Sequence, residues 1–272
     1  MLHLARTSNL IFVVLLAPAS VFGGSDACPA DSVRVGTVCV DRYEASVWQI
    51  DPKRSSLIKR LMSGKATRQD LVAGGAVLLG CELVADPTAD YPANFPGNGQ
   101  WRPIPGSDPP SPGVYAASVA GVRPTTCTSW FRASQACRLS GKRLLRNDEW
   151  QDAAAGTPDP GDADDGSTTC NTKSNDLVAT GSRVLCRSSW GVFDMIGNAN
   201  EWVADWMPSA DDCSQTWLAG DRVCLGGGTG GIPAALKRGG TSLSGEVAGV
   251  FALTGDYDPR FSDFGSGFRC AR

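Results

Sequence analysis

One histidine, His3, serves the whole chain, and it lies ahead of the apolar run "LIFVVLLA" (Leu10–Ala17). Arg6 before that run and Ala19, Ser20, Gly23 and Gly24 after it form a secretory signal pattern over residues 1–23, with cleavage after Ala19, Gly23 or Ala27. Without the leader the mature chain has no histidine. That excludes Ser-His-Asp and Cys-His catalysis, two-His-one-carboxylate iron sites and the usual catalytic zinc sites. No charge dominates either: 25 Lys and Arg stand against 28 Asp and Glu, with no basic run, so no nucleic-acid partner is expected. Nothing after the leader is long and apolar enough to span a membrane, and "SDAC" lacks the apolar residue that a lipidated Cys28 would want. No C-x-x-C occurs, no internal repeat is visible, and "GGGTGG" has no Lys-Ser/Thr after it to make a phosphate loop.

What is abundant is cysteine. All 10 lie beyond the leader, an even number that in an exported chain argues for disulfides and a periplasmic or extracellular location. Spacing suggests Cys28–Cys39, Cys170–Cys186 and Cys213–Cys224, each bracketing a short turn-rich segment. The length of 272 residues allows one large domain or two small ones.

Along the chain, "VRVGTVCVDRYEASVW" (Val33–Trp48) reads as one or two strands, and Ser56–Gly80 as two short helices broken at Gly64 and Gly74–Gly75. Pro87–Gly113 is rich in Pro, Gly and Asn and reads as loop. A helix over "TSWFRASQACRLSGKR" has Thr128 or Ser129 as N-cap, with Trp130, Ala133 and Cys137 on one face and Gly141 as its stop. A second, "NDEWQDAAAG", takes Asn147 as N-cap, Asp148 and Glu149 in its first turn and Gly156 as its end. Gly156–Thr169 is a solvated acidic loop without EF-hand spacing. From Cys170 on, Gly-rich turns separate short strands. The expectation is one α+β domain with little regular sheet and much loop held by disulfides.

Four stretches occur in order: "RPTTCTSWFRASQACRLSGKRLLRNDEW", "GVFDMIGNANEWVADW", "KRGG" and the terminal "GSGFRCAR". Together they make residues 28–272 resemble the formylglycine-generating, or sulfatase-modifying-factor, family, with 51–122 as an atypical, insertion-like segment. The resemblance implies a C-type-lectin-like α+β fold of low regular secondary structure. It also implies a Cys137–Cys270 disulfide, which leaves Cys81 and Cys127 for each other. It implies calcium on the side chains of Asp194 and Glu201 and the carbonyls of Gly197 and Ala199, residue types that suit a hard cation. The alternative is a tight turn with two solvated acids and core tryptophans Trp202 and Trp206. A second family calcium site would begin at Asn171–Thr172, but its later acidic ligand is unclear.

The chain departs from the family in two places. "RLLRNDEW" has Leu145 and Arg146 where the family has Pro-Thr. More seriously, the enzymes keep two copper-binding cysteines after "RGGS", whereas no cysteine lies between Cys224 and Cys270 here. Counting from "RGG", those positions are Ser244 and Gly249, neither of which binds Cu(I), so no copper is expected. The expected function is non-catalytic binding of a protein or small ligand. The contact set is Thr241, Ser242, Leu243, Ser244, Glu246, Val247, Thr254, Asp256, Tyr257, Asp258, Arg260 and Phe261, a mixture typical of adaptable surfaces. The segment 241–266 also looks like the variable region of retroelement-diversified proteins, which end in a similar "GFR". The alternative is an oxidoreductase of the formylglycine-generating type with a non-standard site.

Overall fold

The computed structural model describes residues 27–80, 93–94, 113–208, 220–227 and 231–272. The leader, Cys81, Cys213 and most of the 87–113 stretch lie outside the described residues. The first part of the chain forms β1 (Ser32–Val35), β2 (Val38–Asp41), β3 (Ala45–Ile50), α1 (Ser55–Met62), α2 (Arg68–Ala73), β4 (Val77–Gly80), β5 (Ala93–Asn94) and β6 (Gly113–Ser118). Next come α3 (Trp130–Leu139), β7 (Arg143–Leu144), α4 (Asn147–Ala154), β8 (Asn200–Met207) and β9 (Val223–Cys224). The chain closes with β10 (Ala234–Gly239), β11 (Gly249–Tyr257), β12 (Ser266–Phe268) and β13 (Cys270–Ala271).

Among the described residues these strands make three sheets, ordered β1-β2-β13-β7, β12-β8-β10-β11-β9 and β5-β4-β3-β6. There is more regular sheet than the glycine content suggests, because the Gly-rich stretches fall between strands, and β8 and β11 run unbroken for 8 and 9 residues. The Val33–Trp48 stretch holds three strands rather than one or two, turning at Gly36 (φ +55°) and before Ala45. After the two helices, "VLLG" becomes β4 and pairs antiparallel with β3.

The described residues between 51 and 122 are woven into the domain. β6 pairs with β3 over six residues, and Leu57, Leu61 and Leu71 of the two helices close a cluster with Trp48 and Tyr115. α3 buries the small side chains of Ala133, Ala136 and Cys137, which lets the helix approach β6 and pack beside Trp202. Its cap is Ser129, whose Oγ accepts the Arg132 N–H. α4 begins one residue before expectation: Asn147 is its first residue, and the Glu149 carboxylate accepts the N–H of Arg146, the cap.

Disulfides join Cys28–Cys39, Cys137–Cys270 and Cys170–Cys186. Cys127 and Cys224 are disulfide-bonded as well. The Cys137–Cys270 bond ties α3 to the last strand and so closes most of the domain.

Candidate ligand-binding site

The central strand β10 carries two consecutive cations, Lys237 and Arg238, both almost fully buried. Alternation along a strand sends them to opposite faces. Arg238 lies opposite Glu201 and Leu253, stacks over Trp150 and donates to the carbonyls of Val250, Phe251 and Ala252 and to Gln151 Oε1. Its charge is spread over a ring of acceptors. Lys237 lies opposite Trp202 and Thr254. Its Nζ donates to Ser266 Oγ at 3.2 Å and sits 3.7 Å from the centre of the Tyr257 ring, with Trp202 and Phe261 at 5.1 and 5.2 Å. Among the described residues no carboxylate lies within 4.0 Å of it. Burial pushes the Lys237 ammonium down to about 8, against an upward pull from Asp263 and Asp256.

Lys237 borders a cavity of about 220 Å³ between β10, β11 and the turn after β10. Arg222, Asp263 and Asn200 supply its other strongly polar walls, and Leu243, Val247 and Phe264 form an apolar rim that is 38–50% exposed. The turn itself is built by "RGG". Gly240 adopts φ +82°, and a Cβ there would meet Ala248 at 2.8 Å. The chain then folds so tightly that Ser244 Oγ accepts the Thr241 N–H at 2.8 Å and shares a hydrogen bond with Thr241 Oγ1. The Ser244 hydroxyl is thus committed to its own turn. At Gly249 there is no room for a side chain: a Cβ would lie 2.2–2.3 Å from the Asp221 carboxylate. Asp221 is held in that place by the Phe251 N–H, at 2.7 Å.

Below the turn, "DMIGNANEW" forms a buried charge cluster. Asp194 (φ +59°) and Asn198 (φ +55°) reverse the chain. Glu44 accepts Asn198 Nδ2 at 2.6 Å and the Ala199 N–H at 3.0 Å, and Asp194 accepts the Gly181 N–H at 2.7 Å. Both Glu201 oxygens are taken, by Arg269 at 2.7 and 3.1 Å and by Trp150 Nε1 at 2.7 Å. Burial raises Asp194 to about 7, helped by Glu201. Burial likewise holds Glu44 well above the usual carboxylate range, with Asp194 and Glu201 adding to the effect.

Comparison with known proteins identifies this architecture. The Sulfatase-modifying factor enzyme 1-like domain matches residues 37–272. The chain belongs to this family. No curated protein matches the sequence. Among solved structures it is similar to the Major Tropism Determinant I1 variant (21% identity, 58% of this chain and 45% of that one, TM-score 0.38). It is also similar to Treponema denticola variable protein 1 (18% identity, 56% and 71% coverage, TM-score 0.40). A third similarity is to PvdO from Pseudomonas aeruginosa (16% identity, 86% and 80% coverage, TM-score 0.40). The chain thus spans less than half the length of the tropism determinant. The fold is the mixed, C-type-lectin-like one of the sulfatase-modifying-factor family.

The family's implied calcium can be tested against this donor set. Charge suits a cation, since three buried carboxylates crowd around Arg269. Glu201 as a ligand does not fit the arrangement, because Arg269 and Trp150 fill both of its oxygens. Among the described residues no group of three or more His, Cys, Asp and Glu is arranged to hold a metal ion. Neither acid is solvated, as the alternative reading of the turn required; of its two tryptophans, Trp202 is core but Trp206 is 43% exposed, edge-on to Trp130 and Phe131. Asn171 and Thr172 brace the same region: the Asn171 carbonyl accepts the Asn198 N–H at 2.7 Å, and the Thr172 carbonyl accepts the Gly245 N–H at 2.8 Å.

Of the contact set read from sequence, Thr241, Leu243, Ser244, Val247, Thr254 and Tyr257 line the cavity. Ser242 is buried under the turn, donating its N–H to the Asn198 carbonyl. Glu246 faces a separate acidic groove beside Asp159 and Asp162. Asp256 pairs with Arg222 at 3.5 Å, Asp258 with Arg260, and Phe261 packs on Tyr257 beneath the cavity. Sequence reasoning missed Asn200, Arg222, Lys237, Asp263 and Phe264. The available signal was the lysine inside "AALKRGG", a charge at a position that strand alternation turns inward.

Proposed function

We propose that this chain is an exported, non-catalytic member of the family that binds a protein or small ligand through segment 241–266. The observation that carries the proposal is at Gly249, where the Asp221 carboxylate occupies the space that a second thiol would need. Ser244, the other thiol position, spends its hydroxyl inside its own turn. Copper chemistry therefore has no ligand pair to start from. The rim of Leu243, Val247 and Phe264 around a polar floor supports binding. Export is supported by the leader pattern and by disulfides that persist only in oxidising compartments. Calcium enters the proposal as counter-charge to Asp194, beside the carbonyls of Gly197 and Ala199, with Glu201 withheld by Arg269. Diversification of segment 241–266 by a retroelement is a further part of the reading, supported by its mixture of small polar, aromatic and Arg residues.

The test is to incubate the purified, oxidised protein with copper, reductant, dioxygen and a sulfatase-type Cys-x-Pro-x-Arg peptide. The expected mass spectrum shows the peptide thiol unchanged. Formylglycine in that spectrum would overturn the non-catalytic reading.

A further inference from the structure

We propose that the cavity bounded by β10, β11 and the turn after Gly240 receives the carboxylate of a small apolar organic acid, with the Lys237 ammonium as its counter-ion. The inference rests on the binding reading above and names the ligand's chemical class.

Among the described residues the other buried cations each have a carboxylate within 4.0 Å or a set of carbonyls. Lys142 contacts Asp31 and Asp41, each at 2.7 Å, Arg269 contacts Glu201, and Arg183 lies 3.6 Å from Asp164. Arg238 has its ring of carbonyls. Lys237, 2% exposed, has one hydroxyl acceptor and the faces of aromatic rings. An ammonium has three donors, and burying one without a direct ion pair is unfavourable, so its unspent donors call for an anion from outside. The wall that it shares carries two cations and one carboxylate, Lys237 and Arg222 against Asp263. Arg222 is matched by Asp256, and Asp263, which pulls on the ammonium from beyond 4.0 Å, makes no ion pair with it. Among the described residues Lys237 is therefore the cation of this wall that makes no direct ion pair.

Size and lining set the rest of the ligand. A cavity of about 150 Å³ holds benzene. By that measure 220 Å³ takes a molecule of about nine non-hydrogen atoms. Leu243, Val247, Tyr257 and Phe264 would cover its apolar body, while Asn200 and Thr254 offer further hydrogen bonds. Benzoate meets both requirements, and benzamide is its neutral isostere.

The experiment is titration calorimetry of the oxidised full chain with benzoate and with benzamide, for wild type and Lys237→Met. Wild type is expected to bind benzoate with a Kd on the order of 1 mM, at least about tenfold tighter than benzamide. Lys237→Met is expected to abolish the preference. Benzoate affinity in wild type should also fall about tenfold per pH unit above pH 8 as the ammonium deprotonates. The charged and titratable groups facing that ammonium are Asp256, Asp263, Arg222 and Tyr257, and burial pushes the Tyr257 hydroxyl up, away from this range. Equal binding of benzoate and benzamide would overturn the carboxylate assignment while leaving the cavity as a binding site. So would a benzoate affinity that does not respond to pH. Absence of benzoate binding to the folded wild type at about 10 mM would overturn it too. Because the isostere comparison needs only wild type, it stands even if Lys237→Met fails to fold. The peptide-oxidation result bears on the non-catalytic reading alone.

Discussion

Replacing Lys237 with methionine should make the protein more stable, and the size of the gain follows from the structure. The ammonium's descent from 10.5 to about 8 reflects a burial penalty of about 3 kcal/mol, at about 1.4 kcal/mol per pKa unit. Methionine removes that penalty and fits the same slot between Trp202, Tyr257 and Phe261. It also gives up the Ser266 hydrogen bond and the contact with the Tyr257 face, together about 1–2 kcal/mol. The net expectation is a gain of about 1–2 kcal/mol, read by denaturant unfolding at pH 7 under non-reducing conditions. The linkage has a definite sign. Above pH 8 the folded protein sheds a proton that the unfolded chain keeps until about 10.5, so wild-type stability rises between those values relative to the variant. A Lys237→Met protein less stable than wild type by 1 kcal/mol or more, on the order of its lost contacts, would refute the reasoning. It would mean that the ammonium is already fully compensated in the folded chain.

Three other outcomes can be checked together. Glu201→Gln should cost about 3–5 kcal/mol, because it strips the buried Arg269 of its carboxylate; a loss under 1 kcal/mol in denaturant unfolding would contradict the pairing. In the same protein calcium should raise the wild-type melting temperature, and Asp194→Ala should remove the effect; the absence of any shift in wild type would end the calcium proposal. Opening Cys137–Cys270 as a double Ser variant should cost about 5 kcal/mol on the chain-entropy estimate for a loop of 133 residues, measured by the shift in denaturant midpoint.

The sequence made the frame legible where chemistry forces a local solution. The Ser129 cap, the breaks at Gly64 and Gly74–Gly75 and the paired glycines after Arg238 each left a signature in single residue types. The family motifs fixed the fold, and the family match runs through the 51–122 segment that looked atypical. What stayed hidden is tertiary. "VLLG" has helix-compatible residues and became β4 only because β3 offers an open edge. Asp194 and Glu201 read as exposed acids or metal ligands, and no short-range pattern announces that Arg269, 68 residues beyond Glu201, will bind that carboxylate. Lys237 showed in the sequence only as a charge within a strand, since its aromatic cage comes from β8, β11 and the loop after it.

The family's oxidase site can be restored on paper by two thiols, but the structure indicates that two thiols are insufficient. Ser244→Cys is compatible with its turn, although it sacrifices the hydrogen bond from the Thr241 N–H. Gly249→Cys is not, because its Cβ would sit within 2.3 Å of Asp221, and Asp221 is anchored by the Phe251 N–H on β11 and is itself buried. Either the carboxylate moves and orphans that N–H, or β11 shifts at its first residue; each route costs a few kcal/mol. The expected result is that Ser244→Cys/Gly249→Cys unfolds at lower denaturant than wild type by at least about 2 kcal/mol and gains no stoichiometric Cu(I) in a competition assay. Adding Asp221→Gly should recover part of the stability, since it removes the colliding group. A double-cysteine protein that is as stable as wild type and binds one Cu(I) would show that the thiol site was lost by substitution alone, with its space still open. The collision at Gly249 argues the opposite: the Asp221 carboxylate fills the space that a side chain at Gly249 would need.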